Sequence, residues 1–132
     1  MIKDILLNLI FPRKCILCQK ILEKDETDLC HDCRSDSPEC LKDNRKFPYL
    51  DSWAAIWYYK GYIRSSILRF KFRRARQYAP VYGRLLAMRL LNRYADGFDV
   101  ITWVPVSRVR KLARGYDQVE LIARSAGQEL NT

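Results

Sequence analysis

Two Cys-x-x-Cys pairs, Cys15-Ile-Leu-Cys18 and Cys30-His-Asp-Cys33, stand eleven residues apart in a polar stretch with little else to hold it together. Each pair makes a tight turn whose two thiolates converge on one ion. Two such pairs complete the tetrahedral all-sulfur set of structural zinc. Four thiolates leave no open position, so the metal holds the fold and does no chemistry of its own. Residues 12–46 contain all five cysteines, many charges and few apolar runs, and coordination supplies the folding energy that such a segment lacks. Paired disulfides are disfavoured in a reducing compartment, and an iron–sulfur centre is a lesser alternative. Cys40 lies seven residues past Cys33 and fits neither pair; it reads as a free or buried thiol. His31, inside the second pair, reads as a surface residue or a support for the ligands.

The chain is otherwise that of an ordinary folded protein, 132 residues long with 48% hydrophobic and 30% charged residues. Its N-terminal apolar run, residues 5–11, is broken by Asn8 and preceded by Asp4. That run is too short to cross a bilayer, and no small-residue cleavage site follows it. The expectation is a cytoplasmic protein with no membrane insertion. The net charge of +9 is placed unevenly. Residues 1–50 balance nine basic against nine acidic side chains, whereas residues 51–132 carry fifteen against six. A composition break therefore falls near Phe47-Pro48, which divides the chain into an N-terminal helix and zinc module (1–46) and a basic segment (47–132). Only Lys60, Lys71 and Lys111 are lysines in that segment. An arginine fork matches phosphate oxygens, so the segment is expected to meet phosphate; a solvated basic face is the plainer alternative.

Periodicity predicts helices over residues 2–11, 62–72 and 79–94 and one beginning after Asp117. The first stripe, Ile5, Leu6, Leu9 and Ile10, is expected to pack on the protein. In the third helix the stripe reads Val81, Leu85, Met88 and Leu91 or Asn92, widened by Leu86 and Leu90, and in the last Val119, Ile122, Ala126 and Leu130. Aromatic and β-branched residues predict strands over 52–59 and 99–104, with an Arg-rich loop over 105–116. Arg69, Lys71, Arg73, Arg74 and Arg76 crowd the end of the second helix and the turn after it, placed to track a phosphate backbone. Tyr58, Tyr59, Phe72 and Tyr78 stand near them as candidate stacking residues for bases, with packed aromatics as the plainer reading.

The most telling run is Val104-Pro105-Val106-Ser107-Arg108, then Arg110-Lys111, then Arg114-Gly115-Tyr116-Asp117-Gln118. Lying between an expected buried strand and a helix, it occupies the place where open α/β sheets bind ligands. Together with Leu9-Ile10-Phe11-Pro12 before the cysteines, Tyr59, and Leu68-Arg69-Phe70-Lys71-Phe72, it resembles the ComF family of competence proteins. Those proteins are similar to type I phosphoribosyltransferases. The resemblance implies an α/β fold, here a small four-cysteine zinc module followed by an incomplete phosphoribosyltransferase-like domain. It implies a role in natural transformation, the import of single-stranded DNA. By position, residues 104–108 look like the family's pyrophosphate loop, with Val106, Ser107, Arg108, Arg110 and Arg114 as phosphate-binding candidates for phosphoribosyl diphosphate with Mg²⁺.

One departure bears on activity. The acidic pair and Thr/Gly loop that hold ribose 5′-phosphate in the phosphoribosyltransferases are missing, since the only adjacent acidic pair is Asp25-Glu26 in the zinc module. The chain therefore looks like the N-terminal part of a longer family member. It is assigned no catalytic residue and is not expected to transfer ribosyl groups alone. Three functions compete: a DNA-import accessory binding single-stranded DNA, an enzyme of nucleotide metabolism, and a zinc-stapled interaction module docking on a DNA-import motor. A DNA binder is set apart by steep salt dependence.

Overall fold

Prolines and glycines punctuate this chain into helices. The computed structural model describes residues 2–40 and 45–131; positions 41–44 of the expected zinc module lie outside the described residues. In order the elements are α1 (Ile2–Ile10), α2 (His31–Asp36), α3 (Gly61–Phe72), a 3₁₀ turn (Arg76–Tyr78), α4 (Ala79–Arg93), α5 (Arg108–Arg114) and α6 (Gln118–Leu130). Pro12 stands just past α1. Pro80 sits in the first turn of α4, where its missing N–H forfeits no helical bond. Gly115, at φ +82°, turns the chain out of α5 as only glycine does cheaply. Asp117 caps α6 by accepting from the backbone N–H groups of Val119 and Glu120 at 3.0 and 3.1 Å.

About half the chain is helical, and the described residues contain isolated bridges instead of strand ladders: Lys14 with Ile21, Thr27 with Leu29, and Glu39 with Trp57. The strands expected over 52–59 and 99–104 do not form there, so the α/β expectation finds no sheet among the described residues. Preference for a strand is preference for a pleated surface flanked by neighbours. Trp57 finds one neighbour, Glu39. Along 100–104 the side chains alternate as a strand would, with Ile101 and Trp103 half-buried and Val100 and Val104 exposed, but no described residue forms a bridge with the backbone there. The expected loop over 105–116 contains α5, whose first turn is capped by the Ser107 hydroxyl accepting from the Arg110 N–H at 3.4 Å.

Small residues decide how the helices meet. Tyr82, Gly83 and Ala87 of α4 are buried, as are Ala123, Ala126 and Gly127 of α6. Of the expected stripes, Val81 and Ala126 are buried and Leu85 and Ile122 pack half-buried against the core, whereas Met88, Leu91 and Val119 are exposed. Close backbone approach needs small side chains at the contact, so Gly83, Ala87, Ala123 and Gly127 join the buried faces. A second correction concerns α1. Its described side chains are all exposed, Ile2 and Leu9 by 83% and 78%, so the stripe is not buried against the described residues.

The core spans the composition break. Cys15, Ile16, Leu17 and Leu29 from the cysteine segment share one cluster with Ile63 and Phe70 of α3, Tyr78 of the 3₁₀ turn, Val81 and Tyr82 of α4, and Tyr116. The Ser66 and Tyr82 hydroxyls bond at 2.6 Å inside it. At its edge Arg84 grips Asp28 at 2.7 and 2.8 Å, tying α4 to the loop before the second cysteine pair.

Candidate functional site

Backbone bonds shape each cysteine turn. The Cys15 N–H donates to Lys20 O at 2.9 Å and the Gln19 N–H to Cys15 O at 3.0 Å, with Gln19 in the left-handed region at φ +70°. The Ile16 N–H donates to Asp28 O at 3.1 Å and so joins the two turns. Cys30 precedes α2 and Cys33 lies within its first turn. Glu26, buried, accepts from the backbone N–H groups of His31 at 2.6 Å and Glu23 at 2.8 Å, closing the second turn from behind.

The result places the Sγ atoms of Cys15, Cys18, Cys30 and Cys33 all within 4.8 Å of one another. Cys18 and Cys30 are 3.6 Å apart, and zinc with arms of about 2.3 Å sets its sulfurs about 3.8 Å apart. The donors fit the ion in number, type and spread. Burial pushes the Cys18 and Cys33 thiols up. Burial also raises Cys15, but the N–H groups of Cys18, Cys30 and Leu17 outweigh it and hold that thiol below its ordinary value. Closely packed thiolates need a cation between them, and a dication meets that need. Among the described residues these four form the cluster suited to a metal. Cys40 is buried and lies outside it, with its N–H donating to Ile56 O. His31 points away, its Nε2 3.0 Å from an Asp25 carboxylate oxygen.

The second feature is a cleft of about 490 Å³ between the end of α3 and α5, lined by Leu68, Lys71, Phe72, Arg74, Arg110, Ala113 and Arg114. Two arginine clusters that lie far apart in sequence meet there, and no acidic side chain lines it among the described residues. The Tyr116 hydroxyl donates to Phe70 O, which fastens the end of α5 to α3. The Arg114 guanidinium lies over the Phe72 ring at 5.1 Å and donates to Gln118 Oε1 at 2.8 Å. Asp117 pins the other side by accepting from the Val106 N–H at 3.1 Å. Phe72 is 65% exposed at the rim. Arg74 projects from a left-handed residue at φ +54°.

The remaining candidates have other surroundings. Arg69 turns away from the cleft and donates to Ile16 O at 2.8 Å and Leu17 O at 2.6 Å. Arg73 lines an adjacent groove with Ser65, Leu68, Phe72 and part of Arg69. Arg76 lies over the Tyr116 ring at 5.5 Å. Arg108 is exposed outside the cleft. The Val106 N–H and Ser107 hydroxyl are engaged in capping. Tyr78 is buried, and Tyr58 and Tyr59 are exposed but do not line the cleft. Reading the sequence missed Gln19, which looks like an ordinary loop residue until the fold brings it to Tyr78, and Tyr78, expected as a candidate for stacking on bases, instead lies buried and connects the cysteine turn to the helices.

Residues 6–45 match the family model of the double zinc ribbon domain. No curated protein and no solved structure matches the chain. The N-terminal part of the chain is a zinc-ribbon module with a four-cysteine cluster. No helix among the described residues is long and apolar enough to cross a membrane.

Proposed function

We propose that the chain is a zinc-stapled binder of single-stranded nucleic acid, with phosphates held in the cleft between α3 and α5. The observation that carries this reading is the convergence of Lys71, Arg74, Arg110 and Arg114 on one open cleft that no carboxylate lines among the described residues. Clustered cations that neutralise successive phosphates release counterions, which drives binding irrespective of sequence. Phe72 gives the rim an exposed aromatic face, and a base stacks on such a face only when it is unpaired. Single strands are therefore favoured over duplex. The resemblance to the ComF family adds the biological setting: single-stranded DNA taken up in natural transformation, bound by an accessory protein with a phosphoribosyltransferase-like fold.

The test is fluorescence anisotropy of a labelled mixed-sequence oligonucleotide at low salt, as single strand and as duplex. The reading expects saturable binding with the single strand preferred, and it fails if no binding is detected. A second reading, a phosphoribosyl ligand, draws on the fact that Arg110 and Arg114 face a space of small-molecule size. Inorganic pyrophosphate at millimolar concentration displacing the oligonucleotide favours that ligand, whereas displacement only by bulk ionic strength favours the strand.

A further inference from the structure

The zinc module and the basic cleft are joined by one hydrogen-bonded loop that runs through the side chains of Gln19, Tyr78 and Arg69. Gln19, directly after the first cysteine pair, donates through Nε2 to Cys15 O at 2.9 Å and to the Tyr78 hydroxyl at 2.8 Å. That hydroxyl also accepts from Arg69 Nε at 3.3 Å. Arg69 returns to the cysteine turn, where one terminal nitrogen donates to Ile16 O and Leu17 O. Both carbonyls belong to residues between Cys15 and Cys18, so their direction is set by how those two sulfurs are held.

The far side of this loop bears on the cleft. Arg69 O accepts the Arg73 N–H at 2.9 Å, the bond that closes the end of α3. Lys71 and Phe72 lie in the turn that it closes, and Arg74 follows. Tyr78 ends the 3₁₀ turn that follows, and its N–H donates to Ala75 O at 3.0 Å. The segment carrying Arg73 and Arg74 is therefore held at both ends, by Arg69 before it and Tyr78 after it. Both anchors bear on the first cysteine turn. Arg74 is in the left-handed region, which is unfavourable for an L-residue and persists only where its surroundings impose it.

We infer that Arg69 and Tyr78 are positioning residues that transmit the loaded zinc site to the cleft, so that phosphate binding at Lys71 and Arg74 depends on the four-thiolate centre. The inference rests on the reading of the cleft as a phosphate site, and it assigns Arg69 a role different from phosphate contact. Linkage makes the dependence reciprocal: a bound strand raises the affinity for zinc by the same factor.

The experiment compares zinc-loaded wild type with Arg69→Lys, which keeps the charge and loses the fork, and Tyr78→Phe, which keeps the ring and loses the hydroxyl. One readout is amide hydrogen exchange; the other is affinity for a mixed-sequence single-stranded oligonucleotide across salt concentrations. Both variants should exchange faster at residues 69–76 with α6 unchanged. They should bind roughly three- to tenfold more weakly, with the salt slope of wild type because no contacting charge is lost. Removing zinc with a chelator should weaken wild type by more than it weakens either variant. Wild-type exchange and affinity in both variants would overturn the inference, as would equal responses of all three proteins to zinc removal. If wild type binds no oligonucleotide, the phosphate reading falls and exchange at 69–76 alone decides the coupling. If zinc removal unfolds the chain, the zinc-loaded variants decide it.

Discussion

Gly83 of α4 lies so close to Ser125 of α6 that a Cβ at position 83 would fall 2.9 Å from the Ala126 nitrogen and nearer still to the Ser125 side chain. The contact is backbone against backbone, and neither helix can yield without moving the other. Gly83→Ala should therefore destabilise the protein by about 1–3 kcal/mol through overpacking, although alanine is the better helix former by about 1 kcal/mol. Urea unfolding followed by circular dichroism measures this, and a raised midpoint would contradict the packing described.

Arg74 poses the opposite case. Glycine at its left-handed position removes a strain of about 1–2 kcal/mol and adds unfolded-state entropy worth about 0.5–1 kcal/mol. Arg74→Gly should leave stability within about 1 kcal/mol of wild type or raise it. Oligonucleotide affinity should fall, and the salt slope should drop by about 0.7, the share of one phosphate on a single strand. A stability loss with unchanged affinity would show that Arg74 serves the fold and not the ligand.

Asp117 links the chain before α5 to α6 and gives the fold a pH dependence. Burial raises its pKa, but the N–H groups of Glu120, Val106 and Val119 outweigh burial and hold it below its ordinary 3.8. A carboxylate depressed in the folded state contributes stability that is present above its unfolded pKa and is lost as pH falls through the folded one. Stability should therefore decline as pH drops below about 4. Asp117→Ala should cost about 1 kcal/mol near neutral pH, as loss of a helix cap does, and should flatten the acid limb of the profile. An unchanged acid limb in the variant would assign that limb to other carboxylates.

The metal site makes a sharp stoichiometric claim. Freshly purified reduced protein should contain one zinc per chain. Cys15→Ser and Cys33→Ser should lose it with disruption of the cysteine segment, whereas Cys40→Ser should retain it because Cys40 lies outside the sulfur cluster. Native structure in zinc-free wild type would overturn the structural role of the ion.

Legibility in the sequence varied with the range of the information required. The clustering of the four cysteines was readable because spacing alone makes Cys15-x-x-Cys18 and Cys30-x-x-Cys33 converge. Helices α3, α4 and α6 were readable within a residue or two from period and caps, and Asp117 was correctly expected to cap the last. Helix α5 was missed because its arginines masked its signals, yet Ser107 before it and Gly115 after it are ordinary start and stop residues. The strands over 52–59 and 99–104 were misjudged because composition reports a liking for pairing and says nothing of a partner. Arg69 appeared as one more member of a cationic cluster. Its engagement with Ile16 and Leu17 depends on a contact across more than fifty positions, which no local pattern encodes. The meeting of Lys71 and Arg74 with Arg110 and Arg114 is likewise a product of how α5 docks on α3.

The central claim is that this cleft, and not the general positive charge of the chain, binds the phosphates of a single strand. The direct test compares the salt dependence of oligonucleotide affinity in wild type, in Arg74→Glu with Arg110→Glu, and in Arg64→Glu with Arg93→Glu. The last pair changes the net charge equally at exposed positions away from the cleft. The account predicts a wild-type slope of log Kd on log salt of about 3, for roughly four phosphates at 0.7 each. The cleft pair should lower that slope by about 1.4 and weaken binding at least tenfold more than the control pair does. Equal weakening and equal slopes for the two double reversals would contradict the account, since binding would then follow the overall charge and need no site.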